Sequence, residues 1–529
     1  MRLSGISFRP HLLRDLMIGE LWNMSTDNDA YGVTGSDTST LPSIDNEAEC
    51  ADLPDVVTAV DTPLVVDLDG TLLRSDLLIE TAFRRVGRDP VAIFGVLTAL
   101  RRSKADLKHF LCETADCAPE TLPYDANILL MIRLAHLAGR PVYLASASHE
   151  AFVKAIADHL GFFTGYFATT LDENLSGMAK AKRLVEAFGH MGFDYIGNDK
   201  ADLPVWKVAR QPIAIRAPSR VAARLRAMAP HAEFVPHHEA NLKDWTRQLR
   251  MHQYVKNVLV FIPIIAAHAL TFENLLITMV AAVAFCLAAS ACYILNDLVD
   301  LQEDRAHRTK KHRPLARGDI PLWNALLAIP ILLGMTTIIS LSISTSFALV
   351  MLVYFVTTTA YSFFLKKVLL VDVLTLAGLY TIRMLGGAVA VGVSLSSWLI
   401  IFALSIFVSL ALMKRFVELA ARADEDLASP QNRDYEKMDL SMIAALSAAA
   451  GFNAVTVLAL YVSGSSVTEL YSKPEMLLLA CPILTYWIGR ALILAQRRQM
   501  QDDPVIFAVK DPLSQLSGVA MLAVFLSAI

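Results

Sequence analysis

The chain has 529 residues, 54% of them hydrophobic and 19% charged, with a mean hydropathy of +0.45; this excludes a wholly soluble protein and predicts membrane segments beside a soluble part. A formal net charge of −4 leaves no basic surplus for gripping nucleic acid, so none is expected as a partner. The six cysteines, Cys50, Cys112, Cys117, Cys286, Cys292 and Cys481, contain no C-x-x-C pair, which argues against a disulfide framework or structural zinc and predicts reduced thiols.

Residues 1–55 carry little order signal. Ser25 to Asp55 holds eight acids and no Lys or Arg among Ser, Thr, Gly and Asn, the composition of a disordered acidic tail. The first 22 residues include Arg2, Arg9, Arg14, Asp15 and Glu20 without a continuous apolar stretch, so a secretory signal is not expected, and Met17 and Met24 are alternative starts.

Residues 56–235 read as an α/β domain. Leu64-Val65-Val66 is a short apolar run, the pattern of a buried parallel strand, and it delivers Asp67-Leu68-Asp69-Gly70-Thr71 at its carboxyl end. Two carboxylates alternating at that edge suit phosphoryl transfer: Asp67 attacks phosphorus, Asp69 protonates the leaving oxygen, and Mg2+ neutralises charge. The D-x-D-G-T string resembles motif I of haloacid-dehalogenase-like (HAD) phosphatases, and the likeness continues in order along the domain. Ser146, after the strand Val142-Tyr143-Leu144, matches the family's phosphate-binding hydroxyl, and Lys180 matches the lysine that screens nucleophile and phosphate.

The fourth motif departs from the family. Where Gly-Asp and a later Asp are usual, the chain has Gly197-Asn198-Asp199-Lys200-Ala201-Asp202. The resemblance therefore implies a metal set of Asp67, Asp69 and Asp202, with Asp199 in place of the position that Asn198 fills. The domain is either an active phosphatase or one that binds a phosphorylated ligand or stabilises the membrane part. Residues 76–139, helical in pattern, are expected to form a specificity cap. Residues 236–254 form a linker in which Leu242, Trp245 and Leu249 alternate with Lys243, Arg247 and Arg250, predicting an interfacial segment with Trp245 at headgroup depth.

From Val255 onward apolar runs recur at 255–272, 275–295, 321–341, 346–365, 369–393, 396–413, 439–463, 475–495 and 512–528, predicting about nine transmembrane helices over 255–529. The loops near 297–320, 366–367, 414–438 and 496–511 hold nearly all the Lys and Arg. Charge asymmetry of this kind puts those loops, and the N-terminal domain with them, in the cytoplasm, for a multi-pass protein of the cell inner membrane.

The loop after the second run carries Asn296-Asp297-x-x-Asp300-x-x-x-Asp304, then Arg305, His307, Lys310, Arg313 and Pro314. Carboxylates at i, i+3 and i+7 project from roughly one helical face, and acids at a membrane edge are costly unless cations sit there. Mg2+ completed by substrate phosphate oxygens fits such a ladder. Gln253, Lys256 and Asn257 open the first run; Tyr361, Lys366 and Asp372 bracket a later junction; Arg383 lies inside a run before Gly386-Gly387; Lys414, Arg415 and Glu418 follow.

Nine runs with this ladder resemble the UbiA-type intramembrane prenyltransferase superfamily. Gln253-x-x-Lys256-Asn257, the Asp304-to-Pro314 stretch and Lys414-Arg415-x-x-Glu418 are similar to its decaprenyl-phosphate phosphoribosyltransferase branch, with Arg308 where that branch commonly has Pro. The fold expected is thus multi-domain: an N-terminal α/β HAD-like Rossmannoid domain with a helical cap, and a C-terminal all-α polytopic membrane domain. The resemblance implies phosphoribosyl diphosphate and a polyprenyl phosphate lipid as substrates. Asp297, Asp300 and Asp304 would hold Mg2+ on the leaving diphosphate, with Lys310, Arg313 and Lys366 on its oxygens. Lys256 and Arg383 would hold the lipid phosphate, and Lys414, Arg415 and Glu418 the sugar or its 5-phosphate. A HAD-like phosphatase on the same chain would then dephosphorylate the 5-phosphoribosyl lipid. The alternative is prenyl transfer from a polyprenyl diphosphate to an aromatic acceptor, with a regulatory or inactive HAD-like domain. Oligomeric state has no signature in the sequence.

Overall fold

The computed structural model describes residues 61–102, 104–112, 118–170, 173–307, 309–424, 434–464, 471–500 and 504–528, all within one compact unit. The expected acidic tail, Cys50, Cys117 and Arg308 lie outside these residues.

The N-terminal half is built on six parallel strands: β1 (Leu64–Val66), β2 (Val142–His149), β3 (Gly165–Thr169), β4 (Asp194–Gly197), β5 (Pro212–Ile215) and β6 (Glu233–Val235), in the spatial order β3-β2-β1-β4-β5-β6. Strands β1, β4 and β5 are buried at every residue, as their continuous apolar runs demand in a sheet covered on both faces. Strand order reverses beside β1, and the carboxyl ends of strands at such a reversal open onto a crevice. Val66 is in register with Leu144 and with Ile196, so the residues that follow each strand emerge at one edge. At the opposite end of β4, buried Asp194 accepts from Arg140 and Arg210, which neutralises the charge there.

Between β1 and β2 come helices α1 (Leu77–Arg88), α2 (Ala92–Arg102), α3 (Lys104–Cys112) and α4 (Ala126–Leu137). Asp76 caps α1 by accepting from Ile79 N, and Asp125 caps α4 through Asn127 N and Ile128 N. The first three helices form a small layer of their own: Ala99, Leu107 and Leu111 are buried against Leu78, Ala82, Val96 and Phe110. Helix α4 instead lies buried along one face through Ile128, Met131, Ile132 and Ala135 and leads directly into β2. Helices α5 (Glu150–Leu160), α6 (Met178–Phe188) and α7 (Ser219–Met228) complete the α/β layers, α5 ending on Gly161 in the left-handed conformation.

The linker forms α8 (Leu242–Gln248), capped reciprocally by Asn241 and Asp244. Trp245 and Leu249 pack against Ile294, Leu298, Leu301, Leu315 and Ile320. The membrane half thus offers an apolar surface for the linker's face, with Trp245 half-buried against it. The same cluster takes Ile79 and Phe83 from α1, so the two halves share one apolar core.

Among the described residues, seven helical segments are long and apolar enough to cross a membrane: Phe272–Val299, Leu322–Ile343, Thr345–Phe363, Val371–Val391, Ser397–Asp424, Lys437–Val462 and Pro474–Gln496. Pro504–Lys510 and Pro512–Ala528 form a further pair bent by 81°. The total is seven or eight where nine were expected. The bent pair decides between seven and eight, and the run at 255–272 accounts for the ninth: it folds as a 3₁₀ helix, Met251–Phe261, and a five-residue helix, Ile262–Ala266, ending before His268, whose φ is +52°. Pro263 at the junction supplies no backbone donor, and the left-handed residue closes the segment. The backbone at Val260 lies so close to Gly387 that any side chain there would collide with it, and a Cβ on Gly386 would come within 2.6 Å of the Phe285 ring. Gly387 therefore lets the Val371–Val391 helix lie against this segment, and Gly386 lets it lie against the Phe272–Val299 helix.

Candidate active sites

The α/β site collects four elements. Asp67 follows β1 and its amide donates to Ile196 O at 2.9 Å. Lys180, buried on α6, donates to Asp67 Oδ1 at 2.7 Å and to Tyr195 Oη at 3.0 Å; Tyr195 in turn donates to Asp202 Oδ1 at 2.7 Å. Asp202 Oδ2 accepts from the amides of Asn198 and Asp199 at 2.8 and 3.0 Å. Burial pushes Asp67 up to about 7 against the opposing pull of Lys180, and burial also raises Asp69. Asp69 is fixed by three donors: Leu77 N at 2.8 Å, Ser148 Oγ at 2.6 Å and Ser146 Oγ at 3.3 Å. Ser148 was missed in the sequence, although it lies two residues beyond Ser146 on β2 and so shares its face.

Gly70 has φ +74°, and any side chain there would strike the Asn198 amide, which covers the Asp67–Gly70 loop. Among the described residues that amide has no hydrogen-bond partner. Asp199 is exposed and occupied in a capping box with Asp202. Among the described residues, the donors open to a divalent cation are therefore Asp67 Oδ2, which accepts one 3.3 Å bond from Thr71 Oγ1, and the neutral Asn198 amide oxygen. Hard oxygen donors of this kind fit Mg2+, but with one carboxylate fewer than a fully acidic pair.

The second site is the carboxylate ladder. Its helix runs Phe272–Val299, kinks at Asp300 (φ −92°, ψ 16°) and resumes as Leu301–Ala306. The kink modifies the expected single face. Asp297 and Asp304, both buried, are bridged by Arg313 Nη1, 3.0 Å from Asp297 Oδ1; Asp300 pairs instead with Lys366 Nζ at 3.0 Å and accepts from Asn296 Nδ2 at 3.0 Å. Among the described residues no cluster of three metal-binding side chains is preformed. Each of the three acids is thus held by a cation, Asp297 and Asp304 by Arg313 and Asp300 by Lys366. Burial pushes Asp304 up to about 6, against Arg313. Lys310 Nζ stands 4.0 Å from Asp304, and His307 Nδ1 accepts from Thr309 N at 3.3 Å.

Two linker residues not singled out for this site by their motifs complete it: Gln248 Nε2 donates to Asp297 Oδ2 at 2.8 Å, and Arg250, with a left-handed φ of +53°, pairs with Asp297 Oδ1. Arg305 turns the other way. Its guanidinium makes a bidentate pair with Glu80 of α1, at 2.9 and 2.7 Å, and donates to Ala316 O at 2.9 Å, so it joins the two halves.

A third group lies within the bundle. Arg383 donates to Asn257 Oδ1 at 2.9 Å, Tyr354 Oη at 2.9 Å and Leu379 O at 2.6 Å, and is stacked near Tyr354 and Tyr380. Lys256 Nζ stands 5.7 Å from the centroid of the same Tyr380 ring, and Gln253 is half-buried a turn earlier. Among the described residues Arg383 has no carboxylate partner, which leaves a buried cation balanced by dipoles and rings alone. Arg415, by contrast, is committed: to Asp372 at 2.5 Å, to Tyr361 Oη at 3.0 Å and to Glu418, while Tyr435 donates to Asp372 at 2.6 Å. Lys414 lies half-buried beside it.

Residues 258–512 match the model of the UbiA prenyltransferase family. The uncharacterized protein y4nM of Sinorhizobium fredii is 34% identical over 469 residues, covering 88% of this chain and 91% of that protein. The nodulation protein NoeC of Azorhizobium caulinodans is 31% identical over 54% of this chain and 96% of its own length. The decaprenyl-phosphate phosphoribosyltransferase of Mycobacterium tuberculosis is 38% identical over 181 residues, but the match spans only 33% of this chain and 59% of that enzyme. With its ladder, its apolar helices and this match, the chain belongs to the UbiA prenyltransferase family, its membrane half carried behind an N-terminal α/β domain.

Proposed function

We propose that the membrane half transfers 5-phosphoribose from phosphoribosyl diphosphate to a polyprenyl phosphate, and that the α/β half removes the 5-phosphate from the lipid product. Both sites face the cytoplasmic side of the inner membrane in this reading, following the charge asymmetry of the loops. The observation that carries it is the pairing of two phosphate-handling sites on one chain: an intact Asp67, Asp69 and Lys180 constellation joined to a ladder ringed by Arg250, Arg313 and Lys366. The likeness to decaprenyl-phosphate phosphoribosyltransferases supports the choice of substrates.

In the transfer step Asp297, Asp300 and Asp304 would hold Mg2+, which supplies positive charge to the departing diphosphate. Arg313, Lys310 and Lys366 exchange their carboxylate partners for diphosphate oxygens and stabilise the charge that develops on departure. The lipid phosphate, held by Arg383 and Lys256, attacks the anomeric carbon; a C–O bond forms to the acceptor as the bond to diphosphate breaks. In the second step Asp67 attacks the 5-phosphate, held against Lys180 and Ser146. Asp69, whose proton affinity burial raises, gives a proton to the ribosyl oxygen as the P–O bond breaks. Asp69 then takes a proton from the water that hydrolyses the aspartyl phosphate, releasing inorganic phosphate. Asp67 and Asn198 would hold the Mg2+ of this site.

The test is to give detergent-purified protein labelled phosphoribosyl diphosphate, polyprenyl phosphate and Mg2+ and to separate the lipids by thin-layer chromatography with mass detection. A labelled lipid lacking the 5-phosphate is the expected product. A lipid that keeps its phosphate would remove the phosphatase half of the proposal, and no labelled lipid would move the assignment to aromatic prenylation.

A further inference from the structure

Helix α2 presents an apolar face that nothing among the described residues covers. Its inner side, Ala92 and Ala99 with Gly95 and Val96, packs on α3 and α1; a Cβ on Gly95 would come within 2.7 Å of Phe110. Its outer side carries Ile93, Leu97 and Leu100, at i, i+4 and i+7 on one stripe, with Phe94 beside them and Val91 just ahead. These five are 43%, 51%, 51%, 70% and 67% exposed. Arg101 and Arg102 follow, both exposed. A contiguous apolar patch edged by cations is unusual on a surface that meets only water.

Its place in the fold says what covers it. Helix α1 is fastened to the ends of two membrane helices on the ladder side: Asp76, its cap, accepts from Trp323 Nε1 at 3.3 Å at the start of Leu322–Ile343, and a Cβ on Gly87 would stand 2.9 Å from Val299, the last residue of Phe272–Val299. Ala92 begins α2 five residues after Gly87, so at most about 18 Å of chain separates them. The helix therefore starts near the end of the Phe272–Val299 segment, on the same side as the ladder.

We infer that α2 is an interfacial helix that lays Ile93, Phe94, Leu97 and Leu100 into the acyl boundary of the bilayer, with Arg101 and Arg102 among anionic headgroups. Its consequence rests on the function proposed above: seating the cap of the phosphatase in the lipid surface presents the Asp67 crevice to a phosphate carried on a lipid rather than to one free in solution.

The test reconstitutes the full chain in vesicles of phosphatidylcholine and phosphatidylglycerol containing a phospholipid with a diazirine near the top of its acyl chain, irradiates, and maps adducts by peptide mass spectrometry. Adducts on residues 91–100, alongside those on the spanning helices, are expected. They should disappear in the variant carrying Ile93→Ser, Leu97→Ser and Leu100→Ser, which should still hydrolyse p-nitrophenyl phosphate at the wild-type rate and lose activity on the phosphoribosyl lipid. Adducts confined to the spanning helices would overturn the inference, as would protein cross-links through this face, which would make a second copy its occupant. If no phosphomonoester of either kind were hydrolysed, the proposed phosphatase function would fail while the lipid adducts still decided the position of α2.

Discussion

The joint between the halves yields a quantitative prediction. Glu80 and Arg305 have side chains only 2% and 6% exposed and meet through two hydrogen bonds, with Ser75 Oγ as a further partner of Glu80. Replacing Arg305 with Met leaves Glu80 buried with that hydroxyl alone, and an uncompensated buried charge costs about 3–5 kcal/mol. Replacing both residues with Met keeps the volume and removes both charges, so the double variant should recover most of that loss. The cost falls on α1, whose Leu77 amide fixes Asp69. Hydrogen–deuterium exchange of the 77–88 peptide reads it directly: in Arg305→Met, protection should fall by roughly two to three and a half powers of ten, and the double variant should return most of it. If the single variants cost under about 1 kcal/mol and the double simply summed them, the pair would be incidental to docking.

Other outcomes follow from the same geometry. Asn198→Asp should tighten the Mg2+ dependence of phosphate release by at least about tenfold, since it adds a charge beside Asp67, whereas an unchanged Mg2+ titration would place the cation elsewhere. Gly70→Ala should abolish phosphate release and leave lipid labelling intact: the left-handed φ alone costs about 1–2 kcal/mol, and the new methyl meets Asn198. Asp304 has a folded pKa raised to about 6 from an ordinary 3.8, so the stability it contributes is present below 3.8 and is lost as pH rises through 6. Above that pH it is ionised and able to bind a cation, and Mn2+ affinity measured by electron paramagnetic resonance should weaken as pH falls through about 6 in wild type but not in Asp304→Asn.

Much of the α/β site was legible because a parallel sheet converts sequence into position. Asp67 and Asn198 each follow a strand, Ser146 lies on β2, and these strands pair in fixed register, so motifs far apart in the chain had to emerge at one edge. The ladder was legible as acids and cations but not as a geometry, because the kink at Asp300 sends that carboxylate to Lys366 and leaves Asp297 and Asp304 to Arg313. The role of Gln248 and Arg250 at this site was invisible for a different reason: it comes from where a linker docks, which neither periodicity nor spacing encodes. Arg305 illustrates the same limit, since a cation beside metal-binding acids reads as a substrate ligand until Glu80, 225 residues away in the chain, is seen to hold it. The run at 255–272 has the hydropathy of a span, but Pro263 and the left-handed His268 break it, turning Lys256 and Asn257 into buried groups of the bundle.

The most direct measurement of the central claim is the mass of the labelled lipid made by wild type and by Asp67→Asn side by side. The account predicts a ribosyl lipid without its 5-phosphate from wild type, and from the variant an equal amount of lipid that retains the phosphate. Identical lipids from the two proteins would contradict it.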